Sequence, residues 1–296
     1  MGVPEKIWSM PSCFFVSDLH GHIDRYRALF KLIGEERPDA VFLGGDLLPS
    51  GLSTRESLDF DHEDFVNGYL VRQFQRLQET LQEAYPRVFV ILGNDDSRSE
   101  EAAVIAAATT GVWEYIHDRR VTFAGYDVYG YACVPPSPFM LKDWERYDVS
   151  RYVDPGCVPP EEGFRSVPMP ENQILHTTIK DEIASLVGPR SLDRAIFLFH
   201  APPYGTCLDR AALDGKMIDY APLDVHVGSI AIQRLIEEQQ PLITLHGHIH
   251  EAARLTGRWL QQIGNTHCFS AAHDGPELAL VRFDPADPQA VTRTLI

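Results

Sequence analysis

The sequence predicts an α/β fold with a substantially parallel main sheet. Short apolar runs rich in β-branched and aromatic residues recur along the 296-residue chain, and stretches of helical periodicity lie between them. The runs are continuous rather than alternating, which is the pattern of strands covered on both faces. Alternating segments in the middle and near the end of the chain add a second sheet.

In chain order, "CFFVS" at 13–17 is the first strand, followed by a helical pattern at 24–36 that puts Leu29, Phe30 and Ile33 on one side. "AVFLGG" at 40–45, a long helical stretch at 61–85 and "VFVILG" at 88–93 repeat the alternation. A helix is then expected in "SRSEEAAVIAAA", with Asp95 or Asp96 available to cap it. Residues 119–134 alternate and turn at Gly125, as a hairpin does. "AIFLF" at 195–199 and "LITLHG" at 242–247 are further strands around a helix at 228–240, for which Ser229 is the expected N-cap. Residues 258–284 have the pattern of late antiparallel strands. The whole of 1–296 is expected to form one domain, interrupted at about 135–170 by a segment with eight prolines, too many for a long regular element. That segment is an extended surface excursion, which either roofs a site or has no role.

Composition narrows the function. A formal charge of −16 argues against a basic face laid along a nucleic-acid backbone, and a bound anion would need a local positive centre such as a metal cation. Five cysteines, odd in number and without a C-x-x-C pair, suggest neither a disulfide framework nor a zinc ribbon. They are read as free buried thiols. No leader pattern opens the sequence and no stretch has the roughly 18 uninterrupted apolar residues of a membrane span, so the expected setting is the cytoplasm. Met-Gly begins the chain, but Lys6 stands where a myristoylation signal wants Ser or Thr.

Each apolar run is followed by residues able to bind metal. "SDLHGH" supplies Asp18, His20 and His22, "GGD" supplies Asp46, and "GNDDSR" supplies Asn94, Asp95, Asp96 and Arg98. His200 follows the run at 195–199, and "HGHIHE" carries His246, His248 and His250. The carboxyl edge of an open α/β sheet is where ligand crevices form, so clusters distant in sequence converge there. Imidazoles, carboxylates and an amide oxygen suit a pair of divalent transition-metal ions, and no thiolate is required. Any one D-x-H or H-x-H pair is weak evidence of a site; five clusters at strand ends are strong.

In the order D-x-H, G-D, G-N, H and G-H-x-H, these clusters resemble the calcineurin-like metallophosphoesterases, most closely their small prokaryotic Icc-like branch, from about residue 13 to 275. The resemblance implies a four-layer α/β/β/α sandwich of two mixed sheets flanked by helices. It implies that Asp18, His20 and His250 hold one ion, that Asn94, His200 and His248 hold the other, and that Asp46 bridges them. It further implies hydrolysis of a phosphate mono- or diester by a metal-bridging hydroxide, with manganese, iron or zinc as the metal.

One position departs from the family. The family commonly writes G-N-H, its histidine beside the phosphate, whereas this chain has Asp95. Asp95 is therefore a candidate acid if protonated, or a capping residue. His22 is the first substitute acid and His267 a distant second. Arg98 is a candidate phosphate contact, or else a solvated or paired arginine. Tyr204 either lines the pocket or packs a turn, and His246 is expected to face away. A small phosphorylated substrate is the leading expectation; a nuclease and a non-catalytic metal-braced scaffold are the alternatives.

Overall fold

The computed structural model describes residues 12–49 and 64–296. β1 (Cys13–Val16) is followed by α1 (Ile23–Glu36), which buries Tyr26, Leu29 and Ile33 and ends where Arg37, ahead of Pro38, turns left-handed. β2 (Ala40–Gly44) comes next. The helical stretch expected at 61–85 begins outside the described residues and is otherwise broken into a π-helical turn (Val66–Val71), α2 (Arg72–Leu81) and a 3₁₀ turn (Gln82–Ala84). β3 (Arg87–Ile91), α3 (Glu101–Ala108) and the short β4 (Glu114–Tyr115) complete a run of parallel pairings from β1 to β4.

β5 (Arg119–Phe123) and β6 (Tyr126–Tyr131) form the expected hairpin about Gly125. α4 (Glu171–His176) and α5 (Ile179–Val187) lead to β7 (Ala195–Phe199), which pairs in parallel with β6. A small exposed ribbon, β8 (Met217–Ile218) with β9 (Ala221–Pro222), precedes α6 (Ile230–Gln239). Ser229 caps α6 as expected, its Oγ accepting from the Ile232 amide at 3.1 Å. β10 (Ile243–His246), α7 (Ala252–Thr256), β11 (Leu260–Ile263), β12 (Thr266–Ser270), β13 (Ala279–Asp284) and β14 (Asp287–Leu295) end the chain.

Two six-stranded mixed sheets result, in the orders β14-β13-β1-β2-β3-β4 and β11-β12-β10-β7-β6-β5, flanked by helices. Their inner faces meet through aromatic rings: Phe89 of β3 lies 5.9 Å from Phe123 of β5, and Phe269 of β12 lies 6.0 Å from Phe283 of β13. The expected four-layer sandwich is the fold.

The proline-rich segment carries only isolated bridges, but it is anchored. Lys142, Asp143, Trp144 and Glu145 have no exposed surface, and Lys142 pairs with Glu145 while donating to the Ser137 carbonyl at 2.8 Å. Burying such charges is tolerated because they are paired and hydrogen-bonded. Asp148 accepts from Ser229 Oγ and the Ile230 and Ala231 amides, which ties the segment to the start of α6. Among the described residues no disulfide forms, and only Cys13, Cys133 and Cys268 are buried; Cys157 and Cys207, in loops, are partly exposed, contrary to expectation. No described helix is long and apolar enough to cross a membrane.

Candidate metal centre

The seven donors collect where strands of both sheets end. Asp18 and His20 follow β1, Asp46 follows β2 and Asn94 follows β3, while His200 follows β7 and His248 and His250 follow β10. Asp18, His20, Asp46 and His248 have φ between 46° and 74°, a left-handed region that non-glycine residues adopt at a cost. At the first three of these donors, backbone bonds lock the loops together and offset the strain: the Asp18, His20 and Gly21 amides donate to Gly45, Asp46 and Leu47 carbonyls at 2.8–2.9 Å. The glycines before the donors answer to close approach. A Cβ on Gly93 would collide with an Asp46 carboxylate oxygen, and one on Gly247 would lie 2.7 Å from Asp18 Oδ2.

Two groups of donor atoms form, each with all its atoms within 4.8 Å of one another: Asp18, His20, Asp46 and His250, and Asp46, His200 and His248. Asn94 joins the second group, its Oδ1 lying 3.0 Å from His200 Nε2. His200 Nε2 is 3.3 Å from Asp46 Oδ2, and its Nδ1 is 2.8 Å from the Gly44 carbonyl. Burial alone would raise the Asp46 carboxyl, yet the charge and hydrogen bond of His200 hold it down at about 2. Burial opposes protonation of His20 and His200 as well, but the Asp95 hydrogen bond and the Asp46 charge lift His20 to about 9, and Asp46 with Asp18 lifts His200 to about 9. Burial and the His200 charge push His248 down to about 3. Buried carboxylates and imidazoles packed this closely, with an amide oxygen and no thiolate, fit two borderline divalent ions sharing one carboxylate.

The profile of the calcineurin-like phosphoesterase family matches residues 12–252. The chain belongs to that family. It is 33% identical over 97 residues to the uncharacterised protein MJ1162 of Methanocaldococcus jannaschii, a match covering 32% of this chain and 38% of that relative's length. Among solved structures, TT1561 of Thermus thermophilus superposes with a TM-score of 0.54 at 16% identity, covering 97% of this chain and 99% of the other. A dimetal phosphatase from Danio rerio superposes with a TM-score of 0.52 at 14% identity, covering 93% of each chain. Phosphopantetheinyl hydrolase of Mycobacterium tuberculosis gives 0.52 at 12%, covering 90% of this chain and 91% of the other.

The remaining polar residues around the donors divide by their partners. Asp95 bonds His20, with Oδ2 3.1 Å from Nδ1, and its amide donates to Asp46 Oδ1 at 2.8 Å. Asp96 is buried and accepts from the Leu47, Leu48 and Gly93 amides at 2.7–3.2 Å, joining the loops after β2 and β3. Burial, then the Asp46 charge, raises its carboxyl to about 7 against those three donors. Neither aspartate caps α3, which starts at Glu101 after a 3₁₀ turn, so the capping alternative is corrected. His22 stands exposed at the N-cap position of α1 without a side-chain cap bond. Arg98 pairs with Glu101 at 3.0 Å and lies over the Trp144 ring at 5.0 Å. His246 is buried between the Ala201 carbonyl and Thr244 Oγ, outside both donor groups, and His267 lies within β12. Tyr204 donates to Asp224 at 2.7 Å.

Sequence reasoning passed over the supports beneath the donors. Arg25 on α1 donates to the Asp18 carbonyl at 2.6 Å and to the Gly275 carbonyl. Trp144 Nε1 donates to the Asp96 carbonyl at 2.8 Å, and Asp143 accepts the Arg98 amide at 2.8 Å. A lone tryptophan among prolines was the only available signal.

Proposed function

We propose that this chain is a hydrolase that uses two metal ions to cleave a phosphate mono- or diester of a small molecule. The supporting observation is the pair of donor groups that meet at Asp46. Two divalent ions bound there supply Lewis acidity toward the phosphoryl oxygens and toward water. Asp18, His20 and His250 are assigned to one ion and Asn94, His200 and His248 to the other, with Asp46 shared. His22, exposed and two residues beyond His20, is assigned the proton for the leaving oxygen. Arg98, engaged by Glu101 and Trp144, braces the Asn94 loop in this reading instead of binding phosphate. A charge of −16 favours small substrates over long nucleic acids.

The test is turnover of bis(p-nitrophenyl) phosphate and p-nitrophenyl phosphate by protein loaded with manganese or zinc. Cleavage of at least one ester, abolished in His200→Ala, is expected. No cleavage of either, with His200→Ala indistinguishable from the wild type, would overturn the proposal.

A further inference from the structure

We propose that Asp95 is a positioning residue, whose carboxylate holds the Nδ1 proton of His20 and thereby presents the Nε2 lone pair to the ion of the first donor group. This rests on the two-ion reading above and assigns to Asp95 a task other than acid catalysis. The two nitrogens of His20 face different partners. Nδ1 meets Asp95 Oδ2 at 3.1 Å, while Nε2 points inward, 3.1 Å from His250 Nε2 and 3.9 Å from Asp46 Oδ2. Only one ring nitrogen can serve as ligand here, and the hydrogen bond at the other decides which tautomer is present.

The second group solves the same problem differently. His200 Nδ1 faces the neutral Gly44 carbonyl at 2.8 Å, and its Nε2 faces Asn94 and Asp46. The outer acceptor is thus a carboxylate at the first ion and a backbone carbonyl at the second. The carboxylate makes the imidazole a stronger donor. Asp95 is itself held, by its amide on Asp46 Oδ1 at 2.8 Å.

Metal titration against a chromophoric chelator tests this on metal-free wild type, Asp95→Ala, Asp95→Asn and Asp95→Glu. Asp95→Ala is expected to weaken one of two equivalents of zinc by about 10–100-fold and leave the other unchanged. Asp95→Asn, which keeps a neutral acceptor, should lose less, and Asp95→Glu should recover part of the loss. Two equivalents bound by Asp95→Ala as tightly as by the wild type would overturn the proposal. Nitrogen-15 NMR of the zinc-loaded wild type gives a reading that needs no variant: His20 should be protonated at Nδ1 and coordinated at Nε2, and coordination through Nδ1 would also overturn it. A wild type that binds two equivalents but cleaves neither ester sinks the hydrolytic reading alone. One that binds fewer than two sinks both.

Discussion

Two neighbouring aspartates after β3 show how little residue type alone decides. Asp95 turns outward onto an imidazole, whereas Asp96 turns inward onto three amides and couples two donor loops. A histidine nearby makes the same point through its charge state. His117 Nδ1 accepts the Ala132 amide at 3.0 Å, its ring stands edge-on to Trp144 at 5.1 Å, and burial followed by the Arg98, Arg146 and Arg119 charges lowers its pKa to about 3. Protonation would cost it the Ala132 bond as well as setting it against those arginines. Between pH 6.5 and 3 the unfolded chain therefore binds a proton that the folded chain refuses, and this contribution to stability is lost as the pH falls through that window. In NMR titration the His117 ring should stay neutral at about pH 5, where an unperturbed imidazole is mostly charged. A titration midpoint near the ordinary value of about 6.5 would contradict the assignment.

At the scale of elements, the clearest test concerns the proline-rich segment and α6. Asp148 accepts from Ser229 Oγ and the Ile230 and Ala231 amides in the first turn of α6, beside the Ile232 amide that the Ser229 cap takes, so Asp148→Ala should destabilise the fold by about 1–2 kcal/mol in urea unfolding. Unchanged stability would mean that the segment rests on the helix without holding it. This segment was also the least legible part of the sequence. Its prolines correctly exclude regular structure, but "LKDWER" has the charge of an exposed loop and is buried because Lys142 pairs with Glu145 and Asp143 accepts from the Arg98 amide and from Ser166. Pairing of that kind follows tertiary contacts and leaves no periodicity. The strands were legible for the opposite reason: burial on both faces writes itself into continuous apolar runs, and β1, β2, β3, β7 and β10 stand where those runs predict. β14 was missed because its residues are largely exposed and its pattern is broken by Pro288. The donor set was readable because each cluster follows a readable strand, whereas the partners of Asp95, Arg98 and Trp144 depend on loop paths that no local pattern encodes.

At the scale of the whole molecule, the candidate centre is a seam. Residues before Asp95 supply four donors from the first sheet, residues after Phe199 supply three from the second, and across them the His248 amide donates to Asp18 Oδ1 at 3.0 Å while His200 Nδ1 meets the Gly44 carbonyl. Without ions, two buried carboxylates are balanced by the protons drawn onto His20 and His200. Ions bound to this seam must displace those protons, and they tie the sheets together only in the folded chain, because the donors are scattered when it is unfolded. Mass action then makes metal a stabiliser: at a free concentration about 100 times the dissociation constant, one ion adds about 2.7 kcal/mol. For a chain of this length that is a rise in Tm of several degrees. Adding manganese or zinc to chelator-treated protein should produce that rise in a calorimeter, and a chelator should reverse it. Asp46→Asn, which alters the one carboxylate common to both donor groups, should lose more of the shift than His250→Ala, which removes a ligand from one group only. Equal losses would mean that the two groups bind independently and that Asp46 does not join them.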